Sequence, residues 1–188
     1  MGEHDGHRKR LRTRFLERGP EALQDAEILE LLLFYALPRQ DTYPIAEALL
    51  DHFGTIAAVL DASRSDLKAV AGIGDAAAAL LYLINPLARR YLLSRSVRGA
   101  ALTTTQACGE YLLPYFFGAK EELVYVLCLN ARCEVLGCRL IQRGGLNSAS
   151  FSVRSVVEAA IGCNANSVVL AHNHTSGVAL PSQADYEA

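Results

Sequence analysis

The sequence has no uninterrupted apolar run of the roughly 20 residues that a membrane-spanning helix needs. Its longest apolar stretches are Ile28–Leu37, which is broken by Glu30, and Ala76–Ile84, which is half alanine. Because Gly2–Arg14 is charged and polar, the apolar core of a secretory signal is not expected either. We therefore expect a cytoplasmic protein that does not associate with a membrane.

Closely spaced cysteine pairs are also missing. The five cysteines contain no CxxC pair, and three of them lie in apolar, strand-like stretches. Because a thiolate zinc site needs closer pairs, we expect the cysteines to pack as free thiols. A net charge of −2 excludes binding of polyanions by bulk electrostatics. Basic clusters in His7–Arg18 and Arg89–Arg98 leave phosphate contacts open, although a solvated arm and a linker are the simpler interpretation.

The first half of the chain has the hydrophobic periodicity of helices. In Asp25–Leu37 the apolar residues are spaced as in a buried helix, and Pro38 should end it. Pro86 is expected to kink or divide the alanine-rich helix Asp75–Leu93. The polar and basic segment Ser94–Gly99 is the expected domain boundary.

The second half reads as mixed strand and helix, so the sequence predicts an α+β protein with domains at residues 1–98 and 99–188. The nearly all-apolar Leu123–Leu129 is typical of a strand covered on both faces. Further strands are predicted at Glu134–Gln142 and Ser167–His172, with an amphipathic helix over Val153–Cys163 between them. This order indicates a sheet with helices packed against it.

Residues of metal-binding types cluster near the end of the sequence. Side chains two apart on an extended segment point the same way, so His172 and His174 can converge on one ion. Asp185, in the first turn of a predicted helix, can supply a third ligand and leave a fourth position for water, as in catalytic zinc sites. The residues alone leave another interpretation open, in which Ser182 and Asp185 form a capping box and the histidines are hydrogen-bonded loop residues.

The fuller pattern resembles a known family of metal hydrolases. His172-Asn173-His174, seven residues, Ser182, two residues and Asp185 match the JAMM (MPN+) metalloprotease motif without a gap. The wider stretch is similar to the RadC branch (UPF0758 type) in particular. Gly6-His7-Arg8 and Leu29–Tyr35 resemble the same branch, so the resemblance covers nearly the whole chain.

The resemblance implies an all-α N-terminal domain with a helix-hairpin-helix motif near residues 65–93. It also implies a mixed-sheet, α/β domain of the JAMM/MPN type (cytidine-deaminase-like) over residues 99–188. His172, His174 and Asp185 would hold Zn²⁺. The family's domain continues beyond the helix that carries Asp185, so we expect this domain to be truncated at its C-terminus.

The implied activity is that of a zinc-dependent metallopeptidase or isopeptidase acting on a peptide or isopeptide substrate. Glu122, at the start of the first strand, would be the general base that takes a proton from zinc-bound water and returns it to the leaving amine. Its neighbour Glu121 is not distinguished from it by the sequence. Ser182 would stabilise the oxyanion. Thr175 replaces the family's usual proline, which loosens the loop without removing a ligand.

The segment Leu67–Asp75 resembles the hairpin of a helix-hairpin-helix module, in which a Gly-x-Gly turn presents backbone amides to a phosphate. Asp75 and the uncharged residues after it favour a structural role. Two other functions stay open: a DNA-repair or recombination accessory protein that binds DNA through the helical domain, and a non-catalytic interaction module. Substrate identity and oligomeric state cannot be read from the sequence.

Overall fold

A computed structural model of the protein describes residues 3–95, 101–144, 153–181 and 185, with side chains from residue 6 onward. The chain divides into two units, Met1–Leu87 and Ala88–Ala188. Most of the predicted linker falls at residues 96–99, outside the described residues, so the boundary at 98/99 stays a prediction. None of the described helices combines the length and apolar character that crossing a membrane requires.

The first unit is helical. Two of its short helices begin at capping side chains. The Thr55 hydroxyl accepts a hydrogen bond from the Ala58 amide at 3.1 Å, and the Ser63 hydroxyl accepts one from the Asp66 amide at 3.2 Å. The elements are α1 (Glu3–Arg18), a 3-10 turn (Pro20–Ala22), α2 (Asp25–Ala36), α3 (Tyr43–Phe53), α4 (Ile56–Asp61), α5 (Arg64–Ala69) and α6 (Asp75–Arg95), the last of which continues into the second unit.

The core of the first unit is built from leucines and small residues on α2 to α6. Leu33, Leu49, Leu67 and Leu81 have no exposed surface, and Ala77 is also fully buried. The alanines at the start of α6 let that helix approach its neighbours closely. The helix is continuous from Asp75 to Arg95, so Pro86 does not divide it.

The N-terminal basic run is a helix whose residues Lys9, Arg10, Arg12 and Arg18 are exposed, while its other face packs on the unit. Leu11 is only 3 % exposed and packs in a cluster with Phe34. The Arg8 guanidinium lies 4.6 Å from the Phe34 ring centre and donates hydrogen bonds to the carbonyls of Leu37 at 2.7 Å and Gln40 at 2.6 Å. Arg8 therefore caps the end of α2 through its charge and its donors.

The second unit combines a sheet with helices, which confirms the predicted α+β class. Within the described residues the sheet has the order β2-β1-β3, and both strand pairs are antiparallel. All seven residues of the central strand are buried, as its continuous apolar sequence predicted. The elements are α7 (Thr105–Phe116), β1 (Leu123–Leu129), β2 (Val135–Arg143), α8 (Val153–Gly162) and β3 (Ser167–His172).

The two faces of the sheet have different neighbours. Leu127 and Tyr125 pack with Leu112 of α7 on one face. On the other face the Cys128 thiol lies 3.6 Å from the Ala159 carbonyl of α8. Arg89 donates hydrogen bonds to the Tyr125 hydroxyl at 2.9 Å and to a carbonyl of α7 at 3.1 Å, so this member of the second basic cluster is held inside the unit.

Candidate metal centre

The candidate metal centre lies where β3 leaves the sheet. The strand β3, which was predicted to be buried, is only partly buried, and it pairs with β1 as far as the Val124–His172 pair. After that pair the chain turns away, and Gly177, with a φ of 74°, donates a backbone hydrogen bond to the His174 carbonyl at 3.1 Å. His172 is therefore fixed by the sheet and His174 by a tight turn directly after it.

The structure brings the side chains of His172, His174 and Asp185 together. The Nε2 atoms of the two histidines are 3.2 Å apart, and the ring planes meet at 73°. The Asp185 carboxylate lies 3.0 Å from Nε2 of His172 and 3.4 Å from Nε2 of His174. Only 17 % of the His174 side chain and 9 % of the Asp185 side chain are exposed. The ligand atoms therefore face one position that is partly shielded from water.

This arrangement fits a zinc ion. Ligand atoms at about 2.0–2.2 Å from a tetrahedral zinc are about 3.3 Å from one another, and the three distances between the histidine and carboxylate atoms scatter around that value. Two imidazoles and one carboxylate are also a donor set that zinc accepts in catalytic sites. In the described part of the chain, this is the single group of three or more such side chains whose ligand atoms lie within 4.8 Å of one another.

The general-base candidates Glu121 and Glu122 stand directly before β1. The Glu121 carboxylate forms an ion pair with Arg143 at 2.9 Å, and Arg143 is opposite Leu123 in the β1–β2 ladder. Val124, the second residue of β1, is paired with His172. Continuing the alternation of β1 back by two residues would bring the Glu122 side chain to the face of His172, which favours Glu122 over Glu121. The assignment of the general base stays a prediction.

The predicted site residues also include Glu122 and Ser182, of which the structure describes only Glu122. Glu122 is half-buried, and its carbonyl accepts a hydrogen bond from the Gly144 amide at 2.8 Å. It does not belong to the group of three ligands found among the described residues. Ser182 lies outside the described residues, and so does most of the helix predicted to carry Asp185.

Asn173, between the two histidines, is a residue whose role the motif did not reveal. Its side-chain oxygen accepts a hydrogen bond from the Leu123 amide at 2.8 Å, and its side-chain nitrogen donates one to the Glu121 carbonyl at 3.2 Å. These contacts span 50 and 52 residues of sequence. The signal available in the sequence was an amide side chain directly after a predicted strand.

The thiols nearest the sheet have no part in the centre. Burial raises the pKa of Cys128 to about 11 and that of Cys138 to about 12. Both thiols therefore stay protonated near neutral pH and are poor metal ligands. All five cysteines are free, in agreement with the packing role expected from their spacing.

The hairpin of the helical unit closes tightly. Gly72 has a φ of 89°, and an added Cβ atom would lie 2.8 Å from the Ile45 side chain, so glycine is required there. At the start of α6 the Asp75 carboxylate pairs with Lys68 at 2.8 Å and with Arg64 at 3.6 Å. The Lys68 hydrogen bond lowers the pKa of Asp75, so this helix begins with an ionised carboxylate, which disfavours an anion there.

A helical region is followed by a small sheet with helices and by a group of three possible metal ligands, and this arrangement agrees with the similarities to known proteins. Residues 102–188 match the RadC-like JAB domain, and residues 6–79 match the UPF0758 N-terminal family. A UPF0758 protein of Methylibium petroleiphilum is 41 % identical over 176 residues, covering 94 % of this chain and 79 % of the relative. A UPF0758 protein of a Polaromonas species is 40 % identical with the same coverage.

The chain belongs to the RadC-like UPF0758 family, as its motifs predicted. Membership is carried by both halves of the chain, since each has its own match. A JAB-type domain indicates a hydrolase, and the His172, His174 and Asp185 group is the place where a metal ion can bind.

Proposed function

We propose that this protein is a zinc-dependent hydrolase of the JAMM type that cleaves peptide or isopeptide bonds. The observation that carries the proposal is the convergence of His172, His174 and Asp185, whose ligand atoms are 3.0 to 3.4 Å apart. A capping role for Asp185 does not require two histidine nitrogens beside its carboxylate. The spacing of a zinc site does require them.

In this proposal His172, His174 and Asp185 hold the ion. When bound, zinc lowers the pKa of a coordinated water and polarises the substrate carbonyl. Three protein ligands would leave the fourth position of the ion to the water. The partly exposed His172 ring, with 28 % of its side chain accessible, marks the side from which a substrate can approach.

Glu122 acts as the general base. It takes a proton from the attacking water while the water oxygen bonds to the carbonyl carbon, and it gives that proton to the amine as the carbon–nitrogen bond breaks. The strand register supports Glu122 over Glu121, because the alternation of β1, continued back by two residues, would bring Glu122 to the face of His172, whereas Glu121 is paired with Arg143. Ser182 donates its hydroxyl hydrogen to the developing oxyanion.

Metal analysis of protein purified without chelator tests the proposal. We expect one zinc per chain, retained in His52→Ala and lost in His172→Ala. His52 is the matched control because it lies exposed on α3, in the other unit. Glu122→Gln should keep the zinc but slow cleavage of a quenched-fluorescence peptide library by about 10²–10⁴-fold. Wild-type protein without metal, or full turnover in Glu122→Gln, would refute the proposal.

DNA binding through the helical unit is the second hypothesis, and the hairpin does not favour it. Lys68 and Arg64, which would have to contact phosphates, are already paired with Asp75. Arg8 is likewise engaged, in capping α2. We therefore propose a structural role for the hairpin, and a hydrolytic function for the unit that contains the candidate metal centre.

A further inference from the structure

We propose that Asn173 is a positioning residue that ties the backbone of Glu122 to the loop carrying the two histidine ligands. The inference deepens the proposed hydrolase function and rests on it. It concerns how the general base is kept at a fixed distance from the ligands. The starting observation is the pair of hydrogen bonds that the Asn173 side chain makes to β1 and to the residue before Glu122.

The Asn173 side chain continues the β1–β3 ladder by one step. Val124 and His172 are the last paired residues of the two strands. Beyond them the Asn173 side-chain oxygen accepts the Leu123 amide hydrogen bond at 2.8 Å, and its nitrogen donates to the Glu121 carbonyl at 3.2 Å. A primary amide has one acceptor and two donors, so it can replace a peptide group of the missing strand.

The backbone is hydrogen-bonded on both sides of Glu122. Asn173 binds the carbonyl on one side of Glu122 and the amide on the other. From the β2 side, the Gly144 amide donates to the Glu122 carbonyl at 2.8 Å. Three of the four backbone polar groups from the Glu121 carbonyl to the Leu123 amide are therefore hydrogen-bonded, two of them to one side chain.

The position of Asn173 in the motif explains why its two hydrogen bonds matter for the proposed site. It stands between His172 and His174, so the residue that holds the Glu122 backbone is covalently joined to both proposed ligands. Loss of the amide would let the start of β1 move independently of the ligand loop. Groups that orient metal ligands and catalytic bases in this way typically change activity 10–100-fold when they are removed.

The side chain has to be an amide of this length. Alanine removes both hydrogen bonds. Aspartate keeps an oxygen for the Leu123 amide but cannot donate to the Glu121 carbonyl. The two variants therefore separate the bond that anchors β1 from the bond that holds the residue before Glu122.

Amide hydrogen exchange in the metal-free protein tests the contact without relying on activity. In Asn173→Ala the Leu123 amide should exchange at least about tenfold faster, while the Val126 amide, inside the ladder, should be unchanged. In Asn173→Asp the Leu123 amide should stay protected. Unchanged Leu123 exchange in Asn173→Ala would overturn the inference.

Steady-state kinetics of the zinc-loaded protein test the consequence. Asn173→Ala should keep one zinc per chain and a KM within about twofold of wild type, with kcat reduced about 10–100-fold; Asn173→Asp should lose less. Asn130→Ala is the matched control. The Asn130 oxygen accepts backbone hydrogen bonds from Arg132 and Glu134 at the other end of β1, far from the ligands. This control should leave kcat unchanged even if it lowers stability.

The outcomes distinguish this inference from the function on which it rests. Wild-type protein that binds no zinc would overturn the proposed hydrolase function, whatever Asn173 does. Zinc-loaded wild type that is active, beside Asn173→Ala with an unchanged kcat, would overturn the role of Asn173 alone. An equal fall of kcat in Asn130→Ala and Asn173→Ala would also overturn it, because general destabilisation would then explain both.

Discussion

Leu127 is a side chain whose truncation should lower the stability of the sheet that positions His172. It is fully buried in the central strand and lies opposite Cys138 of β2 and Val169 of β3. Leu127→Ala removes three buried carbon groups, which corresponds to about 2.4 kcal/mol at about 0.8 kcal/mol for each. Because strands on both sides limit the collapse of the cavity, we expect a total loss of about 3–5 kcal/mol.

The control is Leu136→Ala in the edge strand of the same sheet. Leu136 is 44 % exposed, so the same truncation should cost about 1 kcal/mol. Native-state hydrogen exchange at the amides of β1 measures the opening free energy of the sheet without a contribution from the helical unit. A loss below about 1.5 kcal/mol in Leu127→Ala, or equal losses in the two variants, would refute the central role of this side chain.

Two further predictions follow from groups whose pKa is shifted. Burial raises the pKa of Glu30 above its usual 4.5, although His7 at 2.9 Å opposes the shift. The folded protein therefore holds the Glu30 proton more tightly than the unfolded chain. The free energy of unfolding of wild type should fall relative to that of Glu30→Gln as the pH rises from about 4.5. A difference between the two that is constant from pH 4 to 8 would contradict this. The second prediction concerns Cys128 and Cys138, whose pKa values are about 11 and 12. At pH 8 both thiols should react with iodoacetamide far more slowly in the folded protein than in urea, as followed by mass spectrometry. Equal rates would show that burial does not protect them.

Parts of the fold that depend on local pattern were predictable from the sequence. The strand Leu123–Leu129 has the predicted bounds, because an uninterrupted apolar run is what a strand covered on both faces requires. The spacing of His172 and His174 likewise predicted their convergence, which the structure displays at 3.2 Å. The structure also brings the Asp185 carboxylate to these histidines, a ligand suggested by its place in a predicted helix turn and by the family motif.

Parts that depend on contacts between distant residues were not predictable. The packing of α1 was not predicted beyond its helical state, because it relies on Arg8 and on the partly exposed His7. Asn173 was missed because its partners are 50 or more residues away. In both cases a polar side chain satisfies backbone or buried groups of another element, and hydrophobic periodicity contains no information about such bonds.

An irregularity in the β1–β2 ladder bears on the choice between Glu121 and Glu122, which the sequence left open. The β1–β2 register shifts between Val124 and Tyr125, because the pairs Val124–Gln142 and Tyr125–Leu140 leave Ile141 as an extra residue on β2. In an unshifted ladder, Arg143 would be opposite Glu122.

The bulge moves Arg143 opposite Leu123 and onto the face of Glu121, with which it forms an ion pair at 2.9 Å. A bulge therefore directs the guanidinium away from Glu122, as bulges near active sites often redirect a side chain. A general base has to remain able to exchange protons, and an arginine directly opposite would favour its ionised form and weaken it as a base. For the proposed base Glu122, this register therefore keeps Arg143 paired with the neighbouring Glu121 instead.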